Sequence, residues 1–132
     1  MSPENVEVVR RALEAVDQSD VEALIETYDS DAVVDWSRSP GVEAGIYRGR
    51  DGLRRLMATF YEVWDRITVS PEEFIERGDY VVVPNRACFW GRDGIKVEAR
   101  GVFVNTVRKG HIVELRLYRD RAQALKAVGL EE

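Results

Sequence analysis

The sequence predicts an α+β fold in which three helices from the first half of the chain cover the concave face of a curved, cone-shaped antiparallel sheet. Three observations predict it. Apolar residues recur at spacings of three and four up to about residue 65, the period then shortens toward two, and turn signals divide the remainder into hairpins. Helices segregated to one face of a sheet make a two-layer architecture. Helix side chains cannot fill the hollow of a strongly bent sheet, so a pocket between the layers is expected.

Pro3 suits the first position of a helix with Ser2 as its N-cap, and Val6, Val9, Leu13 and Val16 form an apolar stripe behind them. Ser19-Asp20-Val21-Glu22 has the form of a capping box, and Val21, Leu24, Ile25 and Tyr28 mark the apolar face of a second helix. Ala32 to Trp36 is short, apolar and β-branched, a strand that feeds the loop Ser37 to Tyr47, long enough to act as a lid or rim. Gly49-Arg50-Asp51-Gly52 opens a third helix, to about residue 65, with Leu53, Leu56, Met57, Phe60 and Trp64 at helical spacing. Turns at Arg77-Gly78-Asp79, Gly91-Arg92-Asp93-Gly94 and Lys109-Gly110 then leave four strand segments, 67–77, 80–90, 95–108 and 111–119. Asp120 caps a short C-terminal helix, Arg121 to Val128, with Ala122 and Leu125 inward and Gly129-Leu130 as a Schellman ending.

Size and composition bound the function. A chain of 132 residues, with no linker or repeat, is expected to form one domain over residues 1–132. No apolar run approaches the roughly 20 residues that span a bilayer, so no membrane partner is expected. The start, Met1-Ser2-Pro3-Glu4-Asn5, lacks the features of a signal peptide, and Cys88 is the single cysteine; a cytoplasmic protein without an internal disulfide is expected. With 24 acidic against 19 basic side chains and a net charge of −5, nucleic acid is a poor partner. His111 is the sole histidine, which leaves no material for zinc sites built on several His or Cys ligands. The glycines around Asp51 have neither Walker nor dinucleotide spacing. Neither a metal nor a cofactor is expected.

Several segments together carry a family resemblance: the helix pair broken at Ser19-Asp20, the strand entry Asp31-Ala32-Val33-Val34-Asp35-Trp36, the block Tyr47-Arg48-Gly49-Arg50-Asp51-Gly52-Leu53, and the ending Lys109-Gly110-His111-Ile112-Val113-Glu114 through Tyr118-Arg119-Asp120 to Ala124-Leu125. In their order and spacing the chain resembles the SnoaL-like branch of the NTF2-like superfamily along essentially its whole length. That resemblance implies a cone-shaped fold with an interior pocket, commonly dimeric, and leaves the chemistry open among isomerases, dehydratases, epoxide hydrolases, polyketide cyclases and non-catalytic domains. Measured against the ketosteroid isomerases, whose tyrosine and protonated aspartic acid form an oxyanion hole, the tyrosine position falls on Ala12 and the second acid near Arg100 or Val102. The base position falls on Trp36 without a gap and on Asp35 with a one-residue shift. Both oxyanion donors are absent, which speaks against steroid isomerisation, and a single histidine speaks against scytalone-dehydratase-like chemistry. The late aspartate that polyketide cyclases of this type use falls on Asp120, which reads as a helix cap instead.

Asp35 is therefore the candidate base, since a carboxylate entering an apolar pocket has its pKa raised toward a useful range. For the strand 95–108 two parities are open. A ketosteroid-like register turns Glu98, Arg100, Val102 and Val104 inward, and the alternative turns Ile95, Val97, Ala99 and Phe103 inward; a bulge is able to switch between them. The same register turns Val83, Asn85, Ala87 and Phe89 inward, with Val113, Leu115, Leu117 and Arg119. Trp36, Tyr61 and Trp64 are candidates for the pocket wall. On the opposite faces Val82, Cys88, Trp90, Ile112, Arg116 and Tyr118 suggest a homodimer through the outer side of the sheet.

Two functions fit these residues. One is a cofactor-free acid/base enzyme (isomerase, cyclase, lyase or epoxide hydrolase) acting on a small apolar carbonyl compound or epoxide, with Asp35 moving a proton and Arg100 or Asn85 steadying negative charge. The other is a non-catalytic dimeric domain that binds a small hydrophobic molecule or a partner.

Overall fold

The fold is that of a computed structural model that describes residues 3–130. Helix α1, Pro3–Asp17, buries Val8, Val9, Ala12, Leu13 and Ala15, the spacing of one apolar stripe; the cap expected at Ser2 lies outside the described residues. A tight reversal at Ser19, whose φ is 56°, leads into α2, Val21–Glu26. The N-cap is Asp20 rather than Ser19, with Oδ1 accepting from the Ala23 amide at 3.1 Å. Ser19 is held in the left-handed region, which an N-cap does not adopt.

Strand β1, Tyr28–Asp35, follows α2 directly, so Tyr28 opens a strand instead of closing a helix. Strand β2, Ile46–Arg48, folds back antiparallel to β1 from within the expected loop. Helix α3, Gly49–Val63, is followed by β3, Arg66–Pro71, β4, Ile75–Arg77, and β5, Tyr80–Trp90. A short 3₁₀ turn, Arg92–Gly94, leads to β6, Lys96–Arg108. Strand β7, His111–Tyr118, and helix α4, Arg121–Ala127, complete the chain. The segment 67–77 is thus two strands. Glu72 N donates to Pro84 O at 2.8 Å at the break, and Pro84 has no amide hydrogen to return, so the ladder bends between β3 on residues 85–90 and β4 on residues 80–82.

The strands run in the order β2-β1-β7-β6-β5-β3, with β4 also on β5. The sheet is curved and unclosed. One pairing departs from the antiparallel expectation: β1 lies parallel to β7. No tight turn joins these two strands; β1 takes its direction from the end of α2, where Thr27 O accepts from Ile112 N at 2.8 Å.

Burial decides the parity of β6. Ladder pairs Val81↔Asn105, Val83↔Phe103, Asn85↔Gly101, Ala87↔Ala99 and Phe89↔Val97 share the concave face. The register that turned Glu98, Arg100, Val102 and Val104 inward is therefore corrected. Val102 and Val104 are buried on the opposite side, against Ala124, Leu125 and Val128 of the α4 segment. A register shift between Thr106 and Val107 pairs Val107 with Ile112 and turns Ile112 into the main core, not outward.

Helix α4 makes a second, smaller core on the convex face. Asp120 Oδ1 accepts from Ala122 N at 2.7 Å and Gln123 N at 3.4 Å. The helix ends with Leu130 N on Leu125 O and Gly129 N on Lys126 O, Gly129 having φ 82°. The inward pair is Ala124 and Leu125, while Ala122 is exposed. Replacing Asp120 with Ala is expected to cost about 1 kcal/mol and to lower the midpoint of a cooperative urea transition, read by circular dichroism, without changing its slope.

Candidate functional site

Helices α1, α2 and α3 stand over the concave side of the sheet and leave a cavity of about 450 Å³. It stays open because several inward positions are small. Ala12 on α1, Ala87 on β5, and Ala99 and Gly101 on β6 all line it; larger side chains at these places would meet across the gap. Gly101 is tightly enclosed as well, since a Cβ there would lie 3.3 Å from Leu117 Cδ1 and oblige that side chain to shift. Rings form one wall. Trp36 meets Phe60 edge-on at 6.2 Å and Phe103 at 5.5 Å, Phe60 stacks with Phe89 at 6.0 Å, and Trp64 lies 5.4 Å from Phe89. Trp64 reaches this place over Gly91, where a Cβ would stand 3.2 Å from its ring. Such ring pairs are worth about 0.5–1.5 kcal/mol each beyond burial, and they brace α3 against the sheet.

The loop 37–45 forms the rim. Ser39 Oγ donates to Glu43 Oε1 at 2.8 Å, and Tyr47 OH donates to Glu43 O at 2.6 Å. Ser39, Pro40, Gly41 and Glu43 line the opening, with Arg119, an exposed cation, on the sheet side. Glu43 is the one carboxylate among the described residues that line the cavity.

Three polar side chains belong to the buried wall: Tyr28, 4% exposed, Asn85, 2%, and Asn105, 3%. Asn85 Nδ2 donates to Val83 O at 3.0 Å, and Asn105 Nδ2 donates to Val81 O at 3.3 Å. A carbonyl can only accept, so each amide must present nitrogen to it and turn Oδ1 elsewhere. Burial pushes the Tyr28 hydroxyl's ionisation well above the ordinary phenol value, so it remains a neutral donor. The sequence pattern placed Tyr28 on a helix and passed over Asn105; two steps beyond Phe103 on the inward parity, the strand alternation reaches Asn105.

The candidates divide accordingly. Trp36, Trp64, Asn85 and Arg119 border the cavity. Asp35 does not. It shares the outer face with Arg38, whose Nη1 lies 3.4 Å from Asp35 Oδ2 and whose guanidinium covers the Tyr118 ring at 4.3 Å. Partial burial raises the Asp35 pKa, but hydrogen bonds from the Ser37 hydroxyl and amide, with the charge of Arg38, outweigh it and hold the carboxyl below its usual value. The candidate base is thus corrected on both placement and proton affinity: alternation along β1 sends Trp36 inward and Asp35 outward.

Arg100 borders the cavity opening through its place on the strand, but its side chain follows the outer parity, is 68% exposed and pairs with Glu72 at 3.7 Å. Glu98 is exposed on the same outer face, 3.9 Å from Lys96 Nζ and 3.6 Å from Cys88 Sγ. Neither supplies charge to the interior. Tyr61 packs against the main core away from the cavity lining, and its buried hydroxyl makes no hydrogen bond. Tyr118, expected on an open outer surface, is 8% exposed beneath Arg38 and the α4 segment.

Among the described residues, no group of three or more His, Cys, Asp or Glu is placed to hold a metal ion, and no helix is long and apolar enough to cross a membrane. A helix-covered curved sheet around an apolar cavity defines an NTF2-like protein. The SnoaL-like domain model matches residues 9–115, and the chain belongs to that family. No curated protein matches it. Among solved structures, an NTF2-like protein of unknown function from Burkholderia pseudomallei is 22% identical, with a TM-score of 0.79 over 97% of this chain and 98% of that one. TerC, co-crystallised with polyporic acid, is 21% identical, with a TM-score of 0.79 over 95% and 97%. RV0760c of Mycobacterium tuberculosis, in complex with estradiol-17beta-hemisuccinate, is 21% identical, with a TM-score of 0.79 over 91% and 96%.

Two outcomes test this geometry. The pKa of Asp35 is depressed in the folded chain, so its stabilising contribution is complete above the unfolded value of about 3.9 and is lost as pH falls through the folded value. The stability difference between the wild type and Asp35→Asn should hold steady near neutrality and shrink on acidification, as read by urea denaturation at stepped pH. Tyr61→Phe removes a buried hydroxyl with no partner and should raise stability by about 1 kcal/mol; a loss of that size would show that the hydroxyl has a partner.

Proposed function

We propose that this chain is a binding protein for a small, largely apolar ring compound, which the cavity between helices and sheet encloses. The observation that carries the reading is the lining itself. About 450 Å³ of space falls in the usual range of small-molecule sites and is walled by Trp36, Phe60, Trp64, Phe89 and Phe103, with its one carboxylate, Glu43, at the rim. The ligands named for TerC and RV0760c, polyporic acid and estradiol-17beta-hemisuccinate, are ring compounds and support the same class. Proton transfer through Asp35 is not part of the proposal, because a general base must stand within hydrogen-bond reach of the proton it takes.

Titration with N-phenyl-1-naphthylamine, a neutral apolar fluorophore, tests the reading. Saturable enhancement is expected in the wild type, and Ala87→Trp, which fills the cavity from β5, should weaken it at least tenfold while the circular dichroism spectrum is kept. Non-saturable enhancement, or equal binding by the variant, would remove the proposal.

A symmetric homodimer through the outer sheet face belongs to the same proposal. Its anchor reduces to Trp90, half-buried on β5 between Arg66, 5.1 Å from the ring centroid, and Lys96 at 5.5 Å. Sedimentation equilibrium should give twice the chain mass, and Trp90→Glu should shift it to the monomer. A monomer mass for the wild type at tens of micromolar would end the dimer proposal.

A further inference from the structure

The buried part of the cavity wall offers acceptors without a matching charge. Asn85 and Asn105 stand on adjacent strands and share the concave face, and in both the amide nitrogen is committed to a main-chain carbonyl, Val83 O in one and Val81 O in the other. Each Oδ1 is thereby turned from its carbonyl partner, and neither accepts a hydrogen bond within the protein among the described residues. The hydroxyl of Tyr28, on the same cavity, likewise has no hydrogen bond there. Buried polar groups of this kind need a partner once a bound molecule has expelled water.

From these groups we infer that the cavity selects a neutral ring compound bearing a hydrogen-bond donor, a hydroxyl or N–H, which is received by the amide oxygen of Asn85 or of Asn105. The inference rests on the binding function proposed above and specifies its ligand. A carboxylate or phenolate at the buried end would be taken out of water with no cation beside it, since Arg119 stands out at the rim. An ammonium group would be taken out of water with the one lining carboxylate, Glu43, also at the rim. Both charged forms are therefore disfavoured. A carbonyl compound could accept from Tyr28 or from a free amide hydrogen, but it would leave both amide oxygens dry and unpaired. A hydroxyl gives its proton to an amide oxygen and keeps lone pairs able to accept from a donor of the wall.

The two acceptors also set a length. Asn105 is opposite Val81, four residues before Asn85 on β5, which separates the two backbones by about 13 Å at the usual rise per residue. One donor group therefore meets one amide, and a ligand that reaches both carries a donor near each end.

The test uses a matched pair, trans-2-decalol and trans-2-decalone, titrated against the full chain with tryptophan fluorescence as readout, since Trp36 and Trp64 line the cavity. The alcohol should bind about tenfold or more tightly than the ketone in the wild type. In an Asn85→Leu, Asn105→Leu double variant the two should bind within about twofold of each other, with the ketone's affinity kept; if the double variant does not fold, each single variant should narrow the preference or leave the other amide to carry it, and at least one must narrow it. Equal binding in the wild type, or tighter binding of the ketone, overturns the inference and leaves the binding function standing. A preference that survives both substitutions also overturns it, by placing the acceptor elsewhere. Failure of both decalins and of N-phenyl-1-naphthylamine to bind brings down the binding function and this inference together.

Discussion

The pairing of β5 with β6 is the constraint on which the rest depends. Every residue of β5, from Tyr80 to Trp90, has a partner on β6, from Lys96 to Thr106. A slip of one residue would exchange the faces of β6 relative to β5, replacing Ala99, Gly101 and Phe103 on the concave side with Glu98, Arg100 and Val102. The cavity would then hold a glutamate and an arginine instead of a methyl group and a bare backbone. Burial drives the choice: Val102 and Val104 are buried with Val82 against the α4 segment in the observed register, and the other would turn Val102 and Val104 into the cavity.

A packed domain ordinarily fills its interior to crystal-like density, and this one does so in two places while leaving the third open. The α1 and α2 stripes pack on the sheet end that carries Val107 and Ile112, and α4 closes the convex side. Between them the lining combines small residues at Ala12, Ala87, Ala99 and Gly101 with rings that brace one another in edge-on, tilted and stacked contacts. The open volume is thus maintained by Trp36, Phe60, Phe89 and Phe103 acting as struts, and the site and the stability of α3 share the same residues.

Asp35 illustrates how the sheet sorts chemistry by face. Its neighbours Val34 and Trp36 turn inward, so the carboxylate is left outside, where Ser37 and Arg38 satisfy it. The polarity of the interior comes instead from amides and a phenol. These groups stay neutral across the physiological range, so recognition in the cavity rests on hydrogen bonding and shape, with charge confined to the rim.

Much of the fold was legible in local pattern. The helical stripes, the turn glycines, the Asp120 cap and the alternation Val83, Asn85, Ala87, Phe89 each report on contacts within a few residues, which composition and spacing encode directly. The small residues Ala12, Ala87, Ala99 and Gly101 were visible too, though not as the walls of one space. Tertiary structure alone decided the parity of β6, because apolar residues occur on both of its faces and only the arrival of α4 on the convex side tells which set needs cover. It alone set β1 parallel to β7, since no turn joins them. It also brought Tyr28, Asn85 and Asn105 from three strands to one cavity. Sequence determines which side chains each strand presents; which of them share a buried space follows from register and curvature, properties of the assembled sheet that no single segment contains.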